Sequence, residues 1–164
     1  MKRNKLYVRP KWSDFLLPIL VVFILPPPTD ALAVEFIGNY CWTITITDST
    51  VTGLVIPSTA VLKSDIVNMG GTSYALTGTI TDPGDNPYML GGVAQSIGSK
   101  IYMHLTGSQS HLSGGWRDSS VIYAELDAST LSGTMYDMGN DFNVVTRTFN
   151  LRYTAGTIAP SVCP

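Results

Sequence analysis

From Tyr40 to Thr47 the chain alternates, with Tyr40, Trp42, Ile44 and Ile46 set apart by Cys41 and then by Thr43, Thr45 and Thr47. Successive side chains of a strand point to opposite faces, so a period of two built on β-branched residues specifies a strand with one buried face and one wet face. The rest of the chain can be parsed the same way, into strands over Val51–Ile56, Val61–Met69, Thr72–Thr81, Tyr88–Gln95, Ser99–Thr106, Ser119–Leu126, Thr130–Asp137 and a long last strand Phe142–Tyr153. Turn residues stand between them. Gly70-Gly71 marks a tight hairpin, since both glycines tolerate positive φ, and Asp82-Pro83-Gly84-Asp85-Asn86-Pro87, Ser96-Ile97-Gly98, Asp127-Ala128-Ser129 and Gly139-Asn140-Asp141 are turns by composition. No window carries a helical period. The expected fold class is all-β, an antiparallel up-and-down meander of eight or nine strands closed into a barrel, because closure leaves no edge strand to aggregate.

The face shared by Trp42, Ile44 and Ile46 recurs as Tyr74, Leu76 and Ile80, as Ile101, Met103 and Leu105, and as Val145, Phe149 and Leu151, and these positions are the expected interior. The opposite face is rich in Thr and Ser and is expected to meet water, unlike the apolar outer band of an outer-membrane barrel. Leu76-Thr77-Gly78-Thr79, Leu105-Thr106-Gly107-Ser108 and Leu131-Ser132-Gly133-Thr134 repeat a small pattern at unequal spacing, which excludes a solenoid. A glycine within a strand marks a bend where a sheet curls.

Ahead of this domain, Lys2, Arg3, Lys5, Arg9 and Lys11 precede an apolar run from Phe15 to Leu25, then Pro26-Pro27-Pro28 and the small-x-small triplet Ala31-Leu32-Ala33. That layout is a secretory signal peptide over residues 1–33, with the mature chain starting at Val34; the apolar run is short of the ~20 residues of a membrane span. Its rival is an uncleaved anchor. The remaining 34–164 form one domain and keep five basic and ten acidic residues, a formal charge of −5. With no cluster of Lys and Arg, nucleic acid and anionic membranes are poor partners. Cys41 and Cys163 lie near the two ends of the mature chain, where the last strand of a closed meander returns beside the first. In the oxidising periplasm or outside the cell they are expected to pair, the other reading being two free thiols.

Gly38 shortly before Trp42 on the first strand, a meander of about eight strands, and a late Arg152 or Arg147 together resemble the calycin barrels, lipocalins and avidins among them. Three residues separate Gly38 from Trp42, where lipocalins place one. The resemblance implies a Trp closing one barrel end, a late Arg packed over it, and a small, often apolar ligand inside.

Candidate chemistry is sparse. Arg147 interrupts an apolar set, so it either points inward to anchor an acidic group or rests at the mouth with its head in water. His104 and His111 with two paired cysteines fall short of a metal site, and Asp137, Asn140 and Asp141 read as turn chemistry because no Glu follows at calcium-loop spacing. No Gly-x-Ser-x-Gly elbow is present, and the expectation is a protein without catalysis or cofactor. Trp116 and Arg117, in the connection Ser108–Asp118, form either a recognition spot or a Trp folded onto the rim. The leading expectation is an exported barrel that binds a small apolar molecule through Trp42, Tyr74, Met103, Phe149, Arg147 and Trp116. Its alternative is a protein-interaction or inhibitor module with a solid core.

Overall fold

The computed structural model describes residues 34–81, 87–111 and 115–164. The expected leader 1–33, most of the expected turn 82–87, the tip 112–114 and the side chains of Ser110 and His111 lie outside the described residues. Eight strands follow in chain order: β1 (Glu35–Ser49), β2 (Ser58–Gly70), β3 (Ser73–Thr81), β4 (Tyr88–Ile97), β5 (Lys100–His111), β6 (Trp116–Asp127), β7 (Gly133–Asn143) and β8 (Thr148–Ser161). Each pairs antiparallel with the next, and β1 pairs with β8 from Cys41↔Ser161 to Ser49↔Thr154. The sheet is therefore a closed barrel, and no helix occurs among the described residues.

Alternation sets the interior. Trp42 and Ile44 on β1, Leu62 on β2, Leu76 on β3, Leu90 on β4, Met103 and Leu105 on β5, Ile122, Ala124 and Leu126 on β6, Met135 on β7 and Ile158 on β8 are all buried in one apolar cluster. Large side chains from every strand meet at the waist, so the middle of the barrel is solid. Burial of each Leu or Ile contributes about 1.5–3 kcal/mol. Where strands coil most closely, the inward position is a glycine: a Cβ added to Gly78 would overlap the Lys63 carbonyl, and one added to Gly133 would overlap that of Glu125. Gly107 meets the Met89 carbonyl in the same way, so all three repeated Leu-x-Gly patterns mark close strand approach.

At one end Trp42 is buried, 2% exposed, stacked on Tyr40 and donating from its indole N–H to the Leu131 carbonyl at 3.2 Å. Cys41 on β1 is bonded to Cys163, just past β8. The bond spans 122 residues and sits beside the seam that closes the sheet.

Several expectations are corrected. Val51–Ile56 is no strand but the connection that leaves β1, in which Leu54 packs against the core. Gly139-Asn140-Asp141 lies within β7, and the chain turns four residues later, at Val144–Arg147, because Asn143 accepts from the N–H groups of Val145 and Thr146. The expected strand Phe142–Tyr153 is therefore two strands and a turn. Its inward phase is also reversed: Val145, Phe149 and Leu151 are 78, 57 and 78% exposed, while Arg152, Thr154, Gly156 and Ile158 face inward. Arg147 is an exposed turn residue with φ 57°, outside the interior. The outer face carries more than Thr and Ser, with Tyr102, Tyr123, Tyr136 and Met138 exposed on it.

Loop-closure entropy gives the Cys41–Cys163 bond about 4–5 kcal/mol of stabilisation as an upper figure. Cys163→Ser is expected to lower the urea midpoint with the far-UV circular dichroism spectrum unchanged in the absence of denaturant. Equal midpoints for variant and parent would contradict it.

Candidate functional site

The end opposite Trp42 is built differently. On β6 the inward positions run Leu126, Ala124, Ile122, Ser120 and Asp118, so the face turns from apolar to polar toward this end. β7 repeats the change through Met135, Asp137 and Asp141, and β8 through Ile158, Thr154 and Arg152. The three strands are neighbours and antiparallel, and their register brings the polar ends together.

With residues of β1 to β5 they line a cavity of about 450 Å³. Its floor and walls are Ile44, Ile46, Ala60, Ile80, Ile122 and Met135; Tyr88, Gln109, Asp118, Ser120, Asp137, Arg152 and Thr154 form its polar collar. Val51, Leu54 and Val55 of the β1–β2 connection also line it. Among the described residues that line it, Arg152 is the only basic side chain. It is held firmly: Nη2 donates to Ser120 Oγ at 2.9 Å, and Nε lies 3.5 Å from Asp141 Oδ1. Gly139, opposite Arg152 across the β7–β8 ladder, leaves room for the guanidinium, since an added Cβ would overlap Nε.

Tyr88 stands at the boundary between floor and collar, 7% exposed, with its hydroxyl donating to the Gly107 carbonyl at 3.0 Å. Burial pushes the phenol above its ordinary value; the Ser120 hydrogen bond and the Arg152 charge oppose the rise, and Asp137 and Asp118 reinforce it. Its proton is thus retained, and it acts as a donor, not a base. Among the described residues, no three His, Cys, Asp or Glu side chains converge to hold a metal ion.

The residues expected to bind are divided between places. Trp42, Tyr74 and Met103 come together at the closed end, with Ile37, Ile66 and Ile101, around a second cavity of about 180 Å³. Trp116 is half-buried at the other end, where β6 begins opposite His111 and Asn143. Phe149 and Arg147 belong to neither. Arg152, expected as one of two candidates to cover Trp42, lies at the far end: Trp42 pairs with Pro160, and the eight residue steps from Pro160 back to Arg152 span about 26 Å of strand. His104 faces outward and stacks on Tyr123 at 4.6 Å. Asp118, Asp137, Tyr88 and Gln109 were not anticipated. The signal that finds them is the inward phase continued along each strand from the buried Leu90, Leu105, Leu126 and Met135.

Comparison with models of known protein families, with curated proteins and with solved structures finds no match to this chain.

Two outcomes follow from this geometry. Gly139→Ala is expected to displace Arg152 and lower the melting temperature, an effect that Arg152→Gln in the same chain shrinks; full additivity of the two would refute the contact. In a spectrophotometric titration, Tyr88 is expected among the last tyrosines to ionise, and Tyr88→Phe removes that late component. Because its folded value is raised, the associated stability is present below about pH 10 and is lost as pH rises through the folded value.

Proposed function

We infer that this is an exported, non-catalytic binding protein of calycin-like build, which holds one small, largely apolar molecule in the cavity between Ile44, Ile122 and Arg152. The observation that supports this most is the shape of that end: an apolar floor under a polar collar, with 450 Å³ between them. Ligand pockets commonly occupy about 300–1,000 Å³ and combine apolar walls with a few placed polar groups. The apolar body of the molecule rests on Ile46, Ile80 and Met135, and its polar end meets Asp118, Asp137 and the fixed guanidinium of Arg152. With Arg152 already engaged by Asp141 and Ser120, a ligand carboxylate must share that cation, so a neutral hydrogen-bonding end group is accommodated best.

The export reading rests on two independent features. Residues 1–33 have the layout of a secretory signal, and the Cys41–Cys163 bond is consistent with an oxidising compartment such as the periplasm or the extracellular space. A second reading, an interaction module with a solid core, draws on the packed waist and on the outward Tyr102, Tyr123, Tyr136 and Met138.

The uncharged probe N-phenylnaphthylamine is expected to bind at one-to-one stoichiometry. At a hundredfold excess over its Kd it adds about 2.7 kcal/mol to stability by mass action. Ile80→Trp fills the cavity and is expected to abolish binding with the circular dichroism spectrum retained, while Phe149→Asp, on the outer surface, leaves binding unchanged. Absence of saturable binding by the probe and by a panel of fatty acids and quinones would favour the interaction module instead.

A further inference from the structure

The cavity of about 180 Å³ at the Trp42 end differs in kind from the one beside Arg152. Among the described residues, the eleven that line it are all apolar or aromatic, and none carries a charge. The space opens at Ala94. That small side chain is 5% exposed on the inward face of β4, and its cross-strand partners on β3 and β5 are the much larger Tyr74 and Met103.

Two irregularities of the backbone shape its outer wall. The β1–β2 register skips Ile37, which sits in a bulge between Phe36 and Gly38, and Gly38 takes φ 148° there. Bulges at barrel rims re-aim side chains, and Ile37 lines the cavity although it is 41% exposed. Across from β1, in the β6–β7 turn, Leu131 has φ 55°, a left-handed conformation uncommon for a residue with a Cβ. Its N–H donates to the Asp127 carbonyl at 2.8 Å, and its own carbonyl accepts from the Trp42 indole. A conformation of this kind costs free energy and persists where surrounding contacts impose it, often around a ligand. Here it places both Leu131 and Trp42 in the cavity wall. With Ile37 exposed and Tyr40 and Leu131 half-buried, entry is from the barrel end.

Water is a poor occupant of this space. Apart from the tyrosine hydroxyls, the lining side chains offer one hydrogen-bond donor, the Trp42 indole N–H, and Leu131 already accepts from it. An ordered water needs two to four polar partners, and an apolar cavity of about 150 Å³ stays dry and admits benzene.

We propose that this cavity is a second binding site, for a small uncharged aromatic molecule of one ring with a short apolar substituent. The volume sets the size. The rings of Trp42 and Tyr74 accept another ring by offset or edge-to-face contact, and the Met103 thioether suits a ring edge. A carboxylate or an ammonium group would lose its hydration here and find no opposite charge. The inference is independent of the cavity beside Arg152: the two share no lining residue, so either site can be filled, or fail, without the other.

Methionine supplies one reporter for each cavity, since Met103 lines this one and Met135 the other. With carbon-13 at the methionine methyl groups, toluene is expected to shift the Met103 resonance saturably, with Kd in roughly the 10 µM to 1 mM range for so small a ligand. Benzylamine and benzoate, which carry a charge on a similar ring, should bind at least about tenfold more weakly. Ala94→Leu fills the space and is expected to remove the Met103 response with the circular dichroism spectrum retained; should that variant fail to fold, Ile101→Trp, at a half-buried position of the same lining, tests the same point. Ile80→Trp, which fills the cavity beside Arg152, leaves the Met103 response to toluene intact. No saturable Met103 shift up to the solubility of toluene, an equal response to benzylamine, or a response that survives the filling of this cavity overturns the proposal.

Discussion

Seven of the eight strand pairings join neighbours in sequence, and each is formed by a local reversal of the chain. The eighth, between β1 and β8, joins the two ends of the domain and has no hairpin to guide it. The remaining architecture depends on it. Until β1 and β8 meet, Trp42, Ile44 and Ile158 belong to the faces of an open, curling sheet; once they meet, those side chains complete a waist that excludes water. The inward glycines let adjacent strands coil closely enough for the ends to come together, and the Cys41–Cys163 bond lies at the far end of the same seam. Loop-closure entropy opposes this last pairing most, so a covalent link beside it acts where the unfolded chain has the most freedom to lose.

The seam also accounts for the difference between the barrel ends. At the Cys41 end it is complete, and aromatic and aliphatic side chains close the interior around the Trp42 indole. At the other end β1 departs at Ser49 while β5 to β8 continue, so the last inward positions of those strands face an opening. Polar residues at these positions keep contact with water and with each other. Asp141, Ser120 and Arg152 form a chain of contacts across three strands, which holds the guanidinium in place at the collar.

Much of this was legible in the sequence because a strand's pattern is local. Tyr40 to Thr47 announces its own inward phase, and Gly70-Gly71 and Asp127-Ala128-Ser129 announce their turns. The pairing of Cys41 with Cys163 follows once a closed meander is accepted. The last hairpin was misread for a physical reason: Val145, Phe149 and Leu151 are more apolar than Asn150, Arg152 and Thr154, so hydrophobicity alone chooses the wrong phase there. The phase there is set by the register with β7, which runs unbroken from Gly133↔Ile158 to Asn143↔Thr148 and carries the inward face of Ile158 on to Thr154 and Arg152, a fact about pairing that no single strand encodes. The collar was hidden by the same rule. Asp118, Asp137 and Arg152 sit in inward phase, but charge in a strand reads as surface unless the sheet is known to end in an open cup. Asn143, which makes the real β7–β8 turn, was outweighed by the more conspicuous Gly139-Asn140-Asp141.

The packed waist has a consequence for traffic. Leu62, Leu76, Leu90, Leu105 and Ile122 belong to one buried cluster, and the two cavities share no lining residue. The barrel is a cup and not a conduit. In the binding role proposed above, a molecule that enters beside Arg152 would leave beside Arg152, and a donor and an acceptor of it would approach the same rim in turn. Exchange on that one face would pass the segment carrying Val51, Leu54 and Val55, which lines the same cavity.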